Sequence, residues 1–246
     1  MPQTCKNCDN EFDGQFCNNC GQNASLHKIN LKYLWFDLTQ GLLNFDTGFF
    51  YTVKQLLTRP GHTAREFIEG KRVAHFRPVS FLIVITTIEA LLFHFTGFKN
   101  EVATFDPNSE FATQLEAMSE WMDQHQSIII LASLPFYAFW TWLFFRRQNY
   151  NYAELLILNI FVAAQRIVVG FLIFPVFYIL NLEYNFYTDS TVIISFVLIA
   201  WIYAQFFKQV RRIKSITLAL LTNFLSFISF YIFVVLIMFL GILVLK

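Results

Sequence analysis

"ELLILNIFVAAQRIVVGFLIFPVFYIL", residues 154–180, is apolar for longer than the roughly 20 residues a helix needs to cross a hydrocarbon core. Only Glu154, Asn159, Gln165 and Arg166 break it, so it reads as a membrane span carrying buried polar groups. Four similar stretches lie at 79–98, 128–145, 192–207 and 217–245. The composition agrees: 56% of the 246 residues are hydrophobic and 14% charged, where a soluble domain carries about 25% charged residues. The expected fold class is all-α, a polytopic membrane helix bundle of about five spans over 79–246. The fourth stretch is short, and a re-entrant segment is the alternative there.

Charge orders these spans. Lys54, Arg59, Arg65, Lys71, Arg72 and Arg77 precede the first, Arg146 and Arg147 follow the second, and Lys208, Arg211, Arg212 and Lys214 follow the fourth. The remaining two loops are acidic: Glu101, Asp106, Glu110, Glu116, Glu120 and Asp123 in one, Glu183 and Asp189 in the other. Lys/Arg-rich loops stay cytoplasmic. The expectation is therefore a multi-pass protein of the cytoplasmic (inner) membrane, N-terminus inside and Lys246 outside. Residues 1–30 hold no continuous apolar stretch, so no cleavable signal peptide is expected. In the long acidic loop, Phe111, Leu115, Met118 and Met122 have helical spacing after Pro107, which predicts an outer amphipathic helix over about 108–125.

At the opposite end "CKNCDNEFDGQFCNNCG", residues 5–21, holds all four cysteines. Two Cys-x-x-Cys knuckles can deliver Cys5, Cys8, Cys17 and Cys20 to one tetrahedral zinc, and four thiolates make a closed, structural site. Gly21 permits the positive φ that turns backbone N–H groups toward sulfur. A thioredoxin-like redox pair would need a βαβ context, and a reducing cytosol disfavours disulfides. Lys6 faces Asp9, Glu11 and Asp13 within the knot, which excludes a nucleic-acid footprint. Residues 1–22 are thus expected to be a zinc ribbon and 23–30 a polar linker.

Residues 31–78 read as cytoplasmic interfacial helices leading into a basic juxtamembrane segment. Leu31, Leu34, Trp35, Leu38, Leu42, Phe45, Phe49, Val53 and Leu56 recur at helical spacing, with a break near Asn44 and a cap at Asp46-Thr47. Thr63-x-x-Glu66 has the form of a capping box and Gly70 suits a C-cap. Arg59, Arg65, Lys71, Arg72 and Arg77 are candidate contacts for an anionic lipid headgroup. The alternative is a basic collar that only fixes topology.

The motifs "FCNNCGQ", "DTGFFYTVKQLLTRPG", "REFIEGKR" and "FRPVSFL" resemble a bacterial membrane-protein family of unknown function, number 3667, over residues 5–95. That resemblance implies a zinc-ribbon start and a membrane location, with no established activity. The span count is also similar to that of Yip1-type proteins.

No Ser/His/Asp set, phosphate loop or carboxylate–metal cluster points to catalysis, and no catalytic residue is assigned. The expected function is that of a non-enzymatic membrane protein whose zinc ribbon and helical belt dock a protein partner or a lipid headgroup, in assembly, trafficking or sensing. The alternative is a small-solute or lipid carrier or channel using Glu89 and Arg166. These two lie at similar depth in spans 1 and 3, and intramembrane charges normally face the bundle interior and pair. An ion pair is therefore expected, with Gln165 or Asn159 satisfying the leftover hydrogen-bonding groups.

Overall fold

The computed structural model describes residues 2–26, 28–41, 48–98, 121 and 125–244. Its elements are β1 (Gln3–Thr4), β2 (Glu11–Phe12), α1 (Leu31–Gly41), α2 (Gly48–Thr58), α3 (Pro60–Glu69), α4 (Pro78–Thr96), α5 (Gln126–Phe145), α6 (Tyr152–Ile179), α7 (Tyr184–Phe206) and α8 (Arg212–Val244). Helices α4 to α8 are each long and apolar enough to cross a membrane. The protein is thus a multi-pass, all-α membrane bundle. The fourth stretch is not short: α7 runs unbroken for 23 residues, because its polar first turns, Tyr184 to Thr191, are helical too. The cap at Asp46-Thr47 and nearly all of the outer helix at 108–125 fall outside the described residues.

Helix α6 is the centre of the bundle. Its most apolar window is 61% buried in protein against 11% for α8, and most of the described α8 side chains are exposed. Leu155, Ile157, Leu158, Phe161 and Ala164 form the middle of the core, and Phe81, Leu82, Ile85, Ile202, Tyr203 and Phe206 close it from α4 and α7. Asn151 starts α6 with a complete capping box, its side chain accepting from Glu154 N while Glu154 reaches back.

The α2–α3 pair does not lie flat on the bundle. It is a helical hairpin pushed into it, with Leu56, Ala64 and Phe67 buried. Pro60 makes its tip. Proline has no N–H, so the Leu56 carbonyl four residues back loses its helical donor. Gln165 Nε2, near the middle of α6, donates to that carbonyl at 2.9 Å instead. The capping box expected at Thr63 and Glu66 is absent, because Pro60 already begins α3 at its first turn. Thr63 Oγ1 donates to the Arg59 carbonyl at 3.0 Å, and Glu66 accepts two bonds from Arg59 at 2.8 and 3.0 Å. Gly70 does close the helix, at φ 129.

The returning arm, α3, packs backbone to backbone against α7. A Cβ on Gly61 would sit 2.4 Å from the Ile202 carbonyl oxygen and 2.9 Å from Phe206 N, both rigid helical atoms. Gly61 N donates to Gln205 Oε1 at 3.0 Å. Four residues on, Arg65 is buried to 6% exposure. Its Nε donates to the Phe206 carbonyl at 3.0 Å, and its Nη2 donates to the carbonyls of Gln205 and Phe206. Arg65 thereby caps the C-terminus of α7, where orphan carbonyls and the helix dipole both favour a cation.

A second cap mirrors it. Asp37 of α1, 1% exposed, accepts from Val79 N in the first turn of α4 at 3.2 Å, and its backbone carbonyl accepts from Ser80 Oγ at 3.2 Å. Helix α1 therefore turns its acid inward while Leu31 and Trp35 face out, 62% and 69% exposed. That orientation suits an interfacial helix facing lipid.

Gly61→Ala should cost about 1–3 kcal/mol through overpacking against a backbone that cannot retreat. The thermal unfolding midpoint of the purified protein in detergent reads this directly. A midpoint equal to the parent's would show that α3 does not depend on the close approach.

Candidate metal centre and its dock

The cysteine knot is two copies of one turn. In the first, Asp9 N donates to the Cys5 carbonyl at 2.9 Å, and Cys5 N donates to the Asn10 carbonyl at 2.9 Å. In the second, Gly21 N donates to the Cys17 carbonyl, and Cys17 N to the Gln22 carbonyl, both at 2.8 Å. The residue after each second cysteine has positive φ, 57° at Asp9 and 74° at Gly21. Asp9 fills the place that glycine holds in the second copy, a conformation aspartate tolerates better than most residues. The antiparallel β1–β2 pairing, with Gln3 opposite Phe12, closes the first copy, and a single antiparallel bridge between Phe16 and Asn23 closes the second.

The four sulfurs lie within 4.8 Å of one another. Cys5 and Cys20 Sγ are 3.5 Å apart, and Cys8 and Cys17 Sγ 3.6 Å. A regular tetrahedron with zinc–sulfur bonds of about 2.3 Å has edges of about 3.8 Å, so the donor set fits a tetrahedral metal without rearrangement. Asn7 N points at Cys5 Sγ at 3.4 Å, and the backbone of Asn19 and Cys20 donates to Cys17. Such bonds stabilise thiolate, the form that binds metal.

The knot does not hang on a free tether. Asn7 Oδ1 accepts from Ala74 N at 3.1 Å. Gln22, 3% exposed, accepts from Arg72 N at 3.2 Å and Val73 N at 3.4 Å. Each knuckle thus supplies one non-ligand side chain to the turn after α3. The stretch 23–30, expected as a polar linker, ends with Ile29 fully buried in the bundle core, its carbonyl accepting from Asn151 Nδ2 at 2.9 Å. Sequence spacing alone misses this dock, since Asn7 and Gln22 resemble ordinary solvent-facing knuckle residues.

The five basic residues expected at a headgroup are engaged inside the protein. Arg59 and Lys71 flank Glu66, at 2.8 and 3.7 Å. Arg65 caps α7. Arg72 lies over the Tyr33 ring at 5.1 Å, and Arg77 lies close enough to Asp37 to favour its ionised form.

Residues 46–89 match DUF3667, a protein of unknown function. The match bears out the family resemblance over that stretch, short of the cysteine motif, and covers α2, α3, the docking turn and the first two-thirds of α4, which is the part of the chain that inserts into the bundle and receives the knot. No curated protein and no solved structure matches the chain, so the Yip1-type likeness stays one of span count.

Glu89 and Arg166 do come together, but not as an ion pair. Both line one cavity of about 150 Å³ between α4, α5, α6 and α7, and among the described residues no ion-pair contact of 4.0 Å or less joins them. The expected helpers sit elsewhere. Gln165 is committed to Leu56, and Asn159 belongs to a buried triad with Thr141 and Tyr203. Asn159 Nδ2 donates to Thr141 Oγ1 at 3.1 Å, Tyr203 donates to Asn159 Oδ1 at 3.1 Å, and the Thr141 and Tyr203 hydroxyls are 2.7 Å apart.

His75, directly after the docking turn, is 4% exposed with neither ring nitrogen hydrogen-bonded. Its ring lies 5.0 Å from that of Tyr51 and 6.3 Å from that of Phe67. Burial lowers its pKa to about 4. A depressed histidine contributes stability present above its unfolded pKa of about 6.5, lost as pH falls through the folded value. Asp37, raised by burial to about 6, acts oppositely, its contribution being lost as pH rises through that value. His75→Phe should therefore flatten the acid limb between pH 6.5 and 4 in melts of the purified protein, leaving the Asp37 decline near pH 6. An unchanged acid limb would place the sensitive group elsewhere.

Proposed function

We propose that this is a non-enzymatic integral membrane protein in which a zinc ribbon, fixed on the bundle's cytoplasmic side, docks a protein partner. The observation that carries this reading is the Asn7 and Gln22 dock. It sets the knot's orientation relative to the bundle while leaving Phe16 58% exposed, on a knot whose Asp9, Glu11 and Asp13 are exposed too. An apolar ring with an acidic rim fits a partner carrying an apolar pocket edged by Lys or Arg. Four thiolates fill a tetrahedral coordination sphere, which leaves the metal a structural role. The Lys/Arg-rich loops support a cytosolic ribbon with Lys246 on the other side.

Metal analysis of protein purified under reducing conditions should give close to one zinc per chain. A photoreactive side chain at position 16 should yield one discrete adduct in native membranes, lost when zinc is chelated. A metal content near zero refutes the zinc assignment. Diffuse or absent labelling from position 16 refutes the docking face.

The Glu89–Arg166 cavity favours a second reading, a carrier for a small solute. Tyr184, Tyr187, Thr188 and Thr191 add polar groups to its wall. An acid and a base that share a cavity without touching leave both free to meet a solute of mixed charge. Glu89→Gln and Arg166→Gln would then each abolish solute flux in proteoliposomes with little change in melting. Large, non-additive losses of stability would instead make the two residues a structural couple.

A further inference from the structure

We infer that the groove between the start of α3 and the α7–α8 turn binds the phosphate of an anionic membrane lipid. This site is separate from the ribbon and does not depend on the docking reading. The groove, about 500 Å³, is lined by His62, Trp201, Gln205, Lys208 and Arg212, among others. Such a volume accommodates a headgroup together with the glycerol beneath it.

Charge selects the ligand. Lys208 and Arg212 are exposed, and among the described residues neither has a carboxylate within 4.0 Å. The nearby acid on α3, Glu66, is taken by Arg59 and Lys71. His62 is pushed toward its neutral form by burial and then by Arg65, Lys208 and Arg59, with Glu66 opposing, so the field in the groove is positive. The close Gly61 approach fixes its width, because it holds the first turn of α3 against the last turns of α7.

Position selects a lipid source over a free anion. Trp201 is 36% exposed on the wall, and Ile213, beside Arg212, is 81% exposed. A tryptophan and a bare isoleucine next to paired cations at the end of a span are the signature of the headgroup boundary, where the ring and aliphatic chain meet lipid and the charges meet phosphate. Arg65 is not needed as a ligand. Its guanidinium stays on the α7 carbonyls and supplies only field.

Native mass spectrometry of the intact protein with phosphatidylglycerol or phosphatidylcholine tests this. The Lys208→Gln/Arg212→Gln double variant should lose bound phosphatidylglycerol by about thirtyfold, at roughly one factor of five per cation. The charge-matched Arg211→Gln/Lys214→Gln variant should retain it. Equal loss in both variants would mean unlocalised attraction and overturn the site, as would no loss in either or equal retention of phosphatidylcholine. Displacement of the lipid by inorganic phosphate would overturn the lipid assignment. A photoactivatable phosphatidylglycerol on the unaltered chain gives an independent reading: adducts should map to 201–213 or the start of α3, and adducts confined elsewhere refute the proposal whatever the variants do.

Discussion

A buried guanidinium on the end of a membrane-spanning helix organises the end of the bundle that carries the cysteine knot. The last carbonyls of α7 have no helical partners, and where they end they are covered by α3, so water cannot serve them. Arg65 serves them, and Gly61 lets its helix come close enough to do so. The cation is stabilised in turn by the negative end of the helix dipole, which offsets much of its burial cost without a carboxylate. Removing it would leave a helix end uncapped inside protein. The same tip carries Pro60, whose missing N–H is replaced by Gln165. One hairpin therefore ties α2, α3, α6 and α7 into a unit, and the family match falls on that hairpin and its continuation.

The intramembrane polar residues divide into two kinds. Asn159, Thr141, Tyr203 and Gln165 are spent on holding helices together, with bonds that close among α5, α6 and α7 or reach α2. In a medium that offers no water, such bonds specify which helices meet. Glu89 and Arg166 are not spent in that way. They share a cavity wall with tyrosine and threonine hydroxyls instead.

The cysteine knot follows a third logic. Its own core is little more than Phe12 between the cysteines, a core too small to supply the folding energy that a metal on four thiolates would. Asn7 and Gln22 then convert a self-contained module into a fixed one, and the turn they hold continues through His75 and Phe76 into α4. That turn is itself tied to the bundle, since Phe76 N donates to Thr52 of α2 at 2.8 Å and the Phe76 ring packs on Phe81.

Five spans, a four-sulfur knot and a helix stop at Gly70 were legible in the sequence because each depends on neighbours a few residues away: a run of apolar side chains, a doubled Cys-x-x-Cys, a residue able to take positive φ. Span four was misjudged in length, since polar residues at the edge of a helix weaken the apolar signal but not the hydrogen-bond ladder. The roles of Arg65, Asp37, Asn7 and Gln22 were not legible. Arg65 bonds a carbonyl 141 positions along the chain, and Gln22 an amide 50 positions along. A helix end accepts any suitable group that arrives in space, so local sequence marks the charge but not its partner. Basic residues before a first span look the same whether they face lipid phosphate or a buried helix terminus. Only the tertiary packing, by bringing Gly61 against α7, decided that Arg65 caps a helix while Lys208 and Arg212 stay exposed at its edge.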